Sequence, residues 1–173
     1  MALVIEINGI APKIGENVFL AQNATLCGQV IIGDHCSVWF NAVVRGDVNS
    51  ISIGQKVNIQ DGAIIHGTYK KHSTSIGNNV SIGHQATVHG CTIHDHVLIG
   101  MGAIVMDGAI IHSNSIIAAG SVVLEGTVVE SGCIYAGVPA KKVKELNQKQ
   151  TTELIEGIAN NYITYSSWYM ESV

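Results

Sequence analysis

The sequence predicts an all-β solenoid, a parallel β-helix of hexapeptide repeats followed by a C-terminal α-helix. First, an aliphatic residue recurs at every sixth position: Leu20, Leu26, Ile32, Val38 and Val44, then Ile53, Ile59 and Ile65, then Ile76, Ile82 and Val88. The same rhythm continues from Ile93 through Ile99, Val105, Ile111, Ile117 and Val123 to Val129, with Tyr135 in the last slot. Second, a small residue stands two positions earlier in most repeats, as at Ala24, Ala63, Ala86, Ala103, Ala109, Ser115 and Ser121. Third, glycine often follows the aliphatic residue, as in Ile32-Gly33, Ile53-Gly54, Ile76-Gly77, Ile82-Gly83 and Ile99-Gly100, where it suits a tight corner. A period of six sustained this long fits no helix, heptad or hairpin array, and is the signature of hexapeptide parallel β-helices. Three repeats, about 18 residues, make one triangular coil, so the repeats give roughly six coils.

Residues 1–13 form an N-terminal strand or cap, with Leu3, Ile5 and Ile7 alternating and Pro12 ending the run. Residues 14–137 are the β-helix, and 138–173 a helical segment. In that segment Val143, Leu146, Leu154, Ile158, Tyr162, Tyr165 and Tyr169 fall near three- and four-residue spacing and predict one apolar helix face. The rhythm breaks twice by insertion, between Val44 and Ile53 and between Ile65 and Ile76, and Val88 to Ile93 is one residue short. Function on a rigid scaffold concentrates at such irregular loops.

Nine Lys and Arg stand against thirteen Asp and Glu, which argues against a nucleic-acid surface. Charged residues are only 13% and hydrophobic residues 47%, a balance that leaves neutral surface for oligomerisation to cover. Cys27, Cys36, Cys91 and Cys133 form no C-x-x-C pair and read as reduced packing residues. The amino terminus lacks the basic region, long apolar core and cleavage site of a signal peptide, and no apolar run reaches about 18 residues. A cytoplasmic protein with no membrane span is the expectation.

Residues three repeats apart stack at about 4.8 Å, the spacing of neighbouring strands. Val44, Ile65 and Val88 share one such column, so their successors Arg45, His66 and His89 share another. If the aliphatic residue points inward, its successor points outward. Asp61 and His84 stack two positions beyond Ile59 and Ile82, with Gln60 alongside. Two outward imidazoles about 4.8 Å apart can converge on one metal, since zinc ligands at about 2.1 Å lie roughly 3.4 Å from each other. His84 occupies a different column, and a neighbouring subunit of a three-fold homotrimer can supply it. The same docking brings Arg45 of one chain to Asp61 of the next. Three protein ligands leave a fourth position for water, the pattern of a catalytic zinc. Other histidines, His35, His72, His94, His96 and His112, read as surface or turn residues.

Together Arg45-Gly46-Asp47, Asn58-Ile59-Gln60-Asp61-Gly62, Ile65-His66 and Ile82-Gly83-His84-Gln85-Ala86-Thr87-Val88-His89-Gly90 resemble the gamma-class carbonic anhydrase family of hexapeptide proteins. The resemblance covers nearly the whole chain and implies the left hand of the β-helix, which periodicity cannot give. It implies metal ligands at His66, His84 and His89, the middle one from the adjacent subunit, and an Arg45–Asp61 pair between subunits. It further implies that Gln60 holds a metal-bound water or hydroxide, that Asn58 lines the same polar pocket, and that Tyr162 reaches the site from the C-terminal segment. The implied reaction is reversible hydration of carbon dioxide to bicarbonate, with zinc lowering the pKa of its water to near 7. Iron or cobalt also suits a three-histidine site. The chain departs from the family's active members where they carry a glutamate after Arg-Gly-Asp: Val48 stands here. The loop after His66 reads Tyr69-Lys70-Lys71-His72 with no carboxylate, which leaves His72 as the candidate proton relay.

Two other readings compete. Tyr135-Ala136-Gly137-Val138-Pro139-Ala140-Lys141 resembles the ending of hexapeptide acetyltransferases, so acyl-CoA transfer or thioester hydrolysis is an alternative, although the segment equally serves to end the coils. The third reading is a metal-binding family member without significant hydratase activity.

Overall fold

The computed structural model describes residues 2–171 as a left-handed β-helix of about seven coils with one C-terminal helix. Residues 1, 172 and 173, which end the predicted terminal segments, lie outside the described residues. One face of the prism stacks Phe19–Leu20, Ser37–Val38, Asn58–Ile59, Ser81–Ile82, Leu98–Ile99, Ile116–Ile117 and Cys133–Ala136 in parallel. The second face starts at Leu3–Ile5 and includes Ile64–His66, Thr87–His89, Ile104–Val105 and Val122–Val123. The third includes Lys13–Ile14, Thr74–Ile76, Thr92–Ile93, Ile110–Ile111 and Val128–Val129. Thr25–Ile32 and Val43–Ile53 run around the corner between the second and third faces, joining them into one sheet. The coil count exceeds the expected six because Leu3–Ile5 pairs in parallel with Thr25–Cys27, making the predicted cap a full rung of the solenoid.

The six-residue period becomes the core directly. Val44, Ile65, Val88 and Val105 lie in register on the second face, as Ile59, Ile82, Ile99 and Ile117 do on the first except that Ile117 is followed by Tyr135, and all the aliphatic members are fully buried. Each such side chain contributes about 1.5–3 kcal/mol on leaving water, so the ladder is the principal stabilising feature. The glycines after the aliphatic residues have a different cause from the one expected. A Cβ at Gly33 would lie 2.7 Å from the Gly54 carbonyl oxygen, and one at Gly54 would lie 2.7 Å from that of Gly77. Stacked backbones approach too closely there for any side chain. The left-handed turns fall later in the corner, at Asn17, His35, Lys56, Asn79, His96 and Asn114, so His35 and His96 are turn residues.

The C-terminal segment differs from the expectation. Lys141–Glu145 is a strand, antiparallel to Cys133–Ala136 at the edge of the first face, and it carries Val143 with 60% exposure. The helix begins only after Asn147, whose side chain and that of Gln150 cap each other's backbone amides in a capping box. It runs through Gln148–Gln150, a wider π turn at Thr151–Glu156 and Gly157–Met170. The wider turn rotates the apolar face by about one position. Ile155, Ala159 and Ser166 are buried and Tyr162 is half-buried, whereas Leu154, Tyr165 and Tyr169 are exposed. Tyr162 and Tyr169 pack edge-on against Trp39, holding the helix across the first face.

Candidate metal centre

Column register places His66 directly beside His89 on the second face. Their rings meet through His66 Nδ1 and His89 Nε2, 3.1 Å apart. The outer nitrogens are held by carboxylates: His66 Nε2 lies 3.0 Å from Asp47 Oδ1, and His89 Nδ1 lies 2.8 Å from Asp107 Oδ1. A carboxylate accepts, so in the neutral form of each ring the outer nitrogen carries the proton and the facing nitrogen is left with a lone pair. Two lone pairs at this separation repel unless a cation lies between them. The spacing is close to the roughly 3.4 Å that two ligands of a tetrahedral zinc require, so the pair fits a metal.

Arg45 stacks below His66, with Nη2 3.4 Å from His66 Nδ1 and Nη1 2.6 Å from Asp47 Oδ2. Partial burial raises the Asp47 carboxyl, but hydrogen bonds from Arg45 and His66 outweigh it and hold the group below the usual carboxylate range. Asp107 behaves alike: burial pushes it up, and donors Thr68 and His89 bring it below its ordinary value.

His84 sits at the corner leaving the first face, where Gln85 adopts a left-handed conformation. Its Nδ1 lies 2.9 Å from Asp61 Oδ2, and its Nε2 is 3.4 Å from the Tyr162 hydroxyl. Burial, then the nearby Asp61 charge, pushes the Tyr162 phenol up to about 12, so it remains a neutral donor at physiological pH. Gln60 is buried; its Oε1 accepts the His84 backbone amide at 3.1 Å and its Nε2 donates to Asn58 Oδ1 at 2.9 Å. Asn58 in turn donates to Ser81 Oγ at 2.8 Å. Beside His84 and Tyr162, along the later coils of the first face, opens an apolar trough of about 390 Å³, lined by Leu98, Met101, Ile116 and Ile158 among others.

Thus one chain brings together His66, His89, Arg45 and Asp47, and separately His84, Asp61, Gln60, Asn58 and Tyr162. Among the described residues of one chain, no group of three or more His, Cys, Asp or Glu side chains is placed to hold a metal ion. Arg45 and Asp61, expected to pair between subunits, each have a partner inside the chain, though their side chains stay 46% and 42% exposed. His72 is half-buried near Asp107, its Cβ over Gly90 and its Cε1 over Gly108. Sequence reasoning missed Asp107 altogether and assigned no role to Asp47.

Fold and site together define a hexapeptide-repeat β-helix protein with a histidine–carboxylate centre on its wall. The bacterial transferase hexapeptide (six repeats) family matches residues 11–46 and 90–125. A Methanocaldococcus jannaschii protein named "Probable carbonic anhydrase" is 49% identical over 152 residues, covering 88% of this chain and 92% of that one. A Geobacillus kaustophilus carbonic anhydrase is 40% identical over 167 residues, covering 96% and 91%. The chain belongs to the gamma carbonic anhydrase family. It spans only 56% and 57% of the length of two mitochondrial gamma carbonic anhydrases of Arabidopsis thaliana that it also matches. Among solved structures, a hexapeptide transferase family protein from Anaplasma phagocytophilum superposes with a TM-score of 0.91 at 38% identity, covering 96% of this chain and 98% of that one.

Proposed function

We propose that this protein is a homotrimeric, metal-dependent carbonic anhydrase that interconverts carbon dioxide and bicarbonate at three sites between subunits. The observation that carries the reading is the pair of facing imidazole nitrogens, 3.1 Å apart, each ring fixed from behind by a carboxylate. His84 has the same construction, with Asp61 on Nδ1, and its Nε2, now beside the Tyr162 hydroxyl, is the nitrogen through which a second chain would complete a three-histidine cage. Carboxylate–histidine pairs of this kind fix the tautomer and raise the basicity of metal ligands. A divalent metal there, zinc first and iron or cobalt as substitutes, supplies a water activated near neutral pH.

The chain's own groups do the rest. Gln60, anchored on both sides, keeps one amide hydrogen and one lone pair with which to orient that water. Asn58 fixes Gln60, and the Tyr162 hydroxyl borders the entrance beside His84. The apolar trough admits a neutral triatomic substrate without competing polar contacts. His72 is assigned the relay of protons to solvent, and Arg45 the pairing with Asp61 of the adjoining subunit. Exposed Leu3, Ile64 and Ile104 along the second face support its burial against another copy. No helix among the described residues is long and apolar enough to cross a membrane, and the four unpaired, buried cysteines fit a reducing compartment such as the cytoplasm.

The test is metal analysis of anaerobically purified protein with stopped-flow hydration of carbon dioxide. About one metal per chain and turnover abolished in His66→Ala are expected; undiminished turnover in that variant contradicts the reading. The trough beside His84 also suits an acyl chain, and acyl-CoA hydrolysis or transfer without hydration of carbon dioxide would support that second reading. Metal retention with neither reaction would indicate a binding protein.

A further inference from the structure

Both insertions that break the repeat end in contacts behind the paired histidines. Asp47, in the first, holds His66 directly. From the same insertion Asn49 Nδ2 donates to the Thr68 carbonyl at 3.1 Å, at the root of the second insertion. The Thr68 hydroxyl then donates to Asp107 Oδ2 at 2.8 Å, while Asp107 Oδ1 takes His89 Nδ1 at 2.8 Å. The second insertion is pinned by the Thr68 amide on the His72 carbonyl at 2.9 Å, and the coil of Asp107 by the Gly108 amide on the Gly90 carbonyl at 2.7 Å. At Gly90 a Cβ would collide with the Asp107 carboxylate and with the His72 side chain, so glycine next to His89 clears the carboxylate's path.

We infer that Asp107, held by Thr68, is a positioning residue of the metal centre: its carboxylate fixes the His89 ring and tautomer so that Nε2 faces His66 Nδ1 as a lone pair. This rests on the metal reading given above. A carboxylate that accepts from two sides cannot rotate away without losing one donor, which distinguishes it from a solvated surface aspartate. The insertions are therefore braces for the two histidines, one acting directly and the other through Thr68 and Asp107.

The experiment measures zinc and cobalt affinity by competition with a chromophoric chelator, and records the visible spectrum of the cobalt-loaded protein. It compares the parent chain, Asp107→Asn, Thr68→Val and Thr68→Ser, with His66→Ala as control, alongside thermal midpoints in chelator. Asp107→Asn keeps the shape and loses the charge, so its metal affinity is expected to fall about 10–100-fold with an altered cobalt spectrum and an unchanged metal-free midpoint. Thr68→Val weakens binding by a smaller factor and Thr68→Ser, which keeps the donor, restores it. Parent-like affinity and spectrum in both Asp107→Asn and Thr68→Val, or Thr68→Ser as weak as Thr68→Val, overturns the assignment while the metal reading survives through the control. A parent chain that binds neither metal overturns both.

Discussion

Asp47, Asp61 and Asp107 each take one ring nitrogen of a different histidine, and that shared construction makes three ordinary imidazoles into candidate ligands. The carboxylates set which nitrogen keeps its proton, a choice that an unsupported ring leaves open. Backbone contacts between coils set where such rings can stand. Gly54→Ala would place a methyl 2.7 Å from the Gly77 carbonyl oxygen, and overpacking of this kind costs about 1–3 kcal/mol; calorimetry should show a lowered midpoint, and an unchanged one would refute the close approach as the reason for glycine. The positions of His66, His89 and Arg45 were readable from sequence because one period fixes both the column and the outward direction. Asp107 was not readable: it lies one step past the outward column, above Gly90, which stands in the interval shortened by one residue. Its role depends on a side chain reaching back across the empty glycine position.

The strands were legible because nearly every six-residue repeat buries an aliphatic residue and, two positions earlier, a second and mostly smaller one. The C-terminal segment was not, because its apolar residues fit two patterns. Lys141–Glu145, with Val143 its one apolar residue, extends the first face as a fully exposed edge strand, and the apolar residues beyond Asn147 continue a helical spacing that the π turn then shifts. Tyr162 became the helix's chemical contact with the site because that shift leaves it half-buried between Trp39 and His84. Its phenol must be neutral while docked. The docked state titrates at about 12 and a free tyrosine near 10, so helix docking is fully retained below pH about 10 and weakens as pH rises toward 12. Alkaline titration of tryptophan fluorescence should show this loss, and Tyr162→Phe should remove it; the same loss in Tyr162→Phe would place the cause elsewhere.

A prism with two imidazoles on one face and the third at another corner divides each proposed metal site between two chains. The apolar second face, with Ile64 and Ile104 exposed beside the histidine column, offers the surface along which the division is closed. That division is tested by metal content in mixed assemblies. His84→Ala and the double variant His66→Ala with His89→Ala are each expected to bind no stoichiometric metal alone. Dissociated, mixed in equal amounts and reassembled, they should recover about a quarter of the parent's metal, because one interface in four then joins an intact pair to an intact His84. Absence of recovery in properly reassembled trimers, or full metal in either variant alone, would contradict a site shared between subunits.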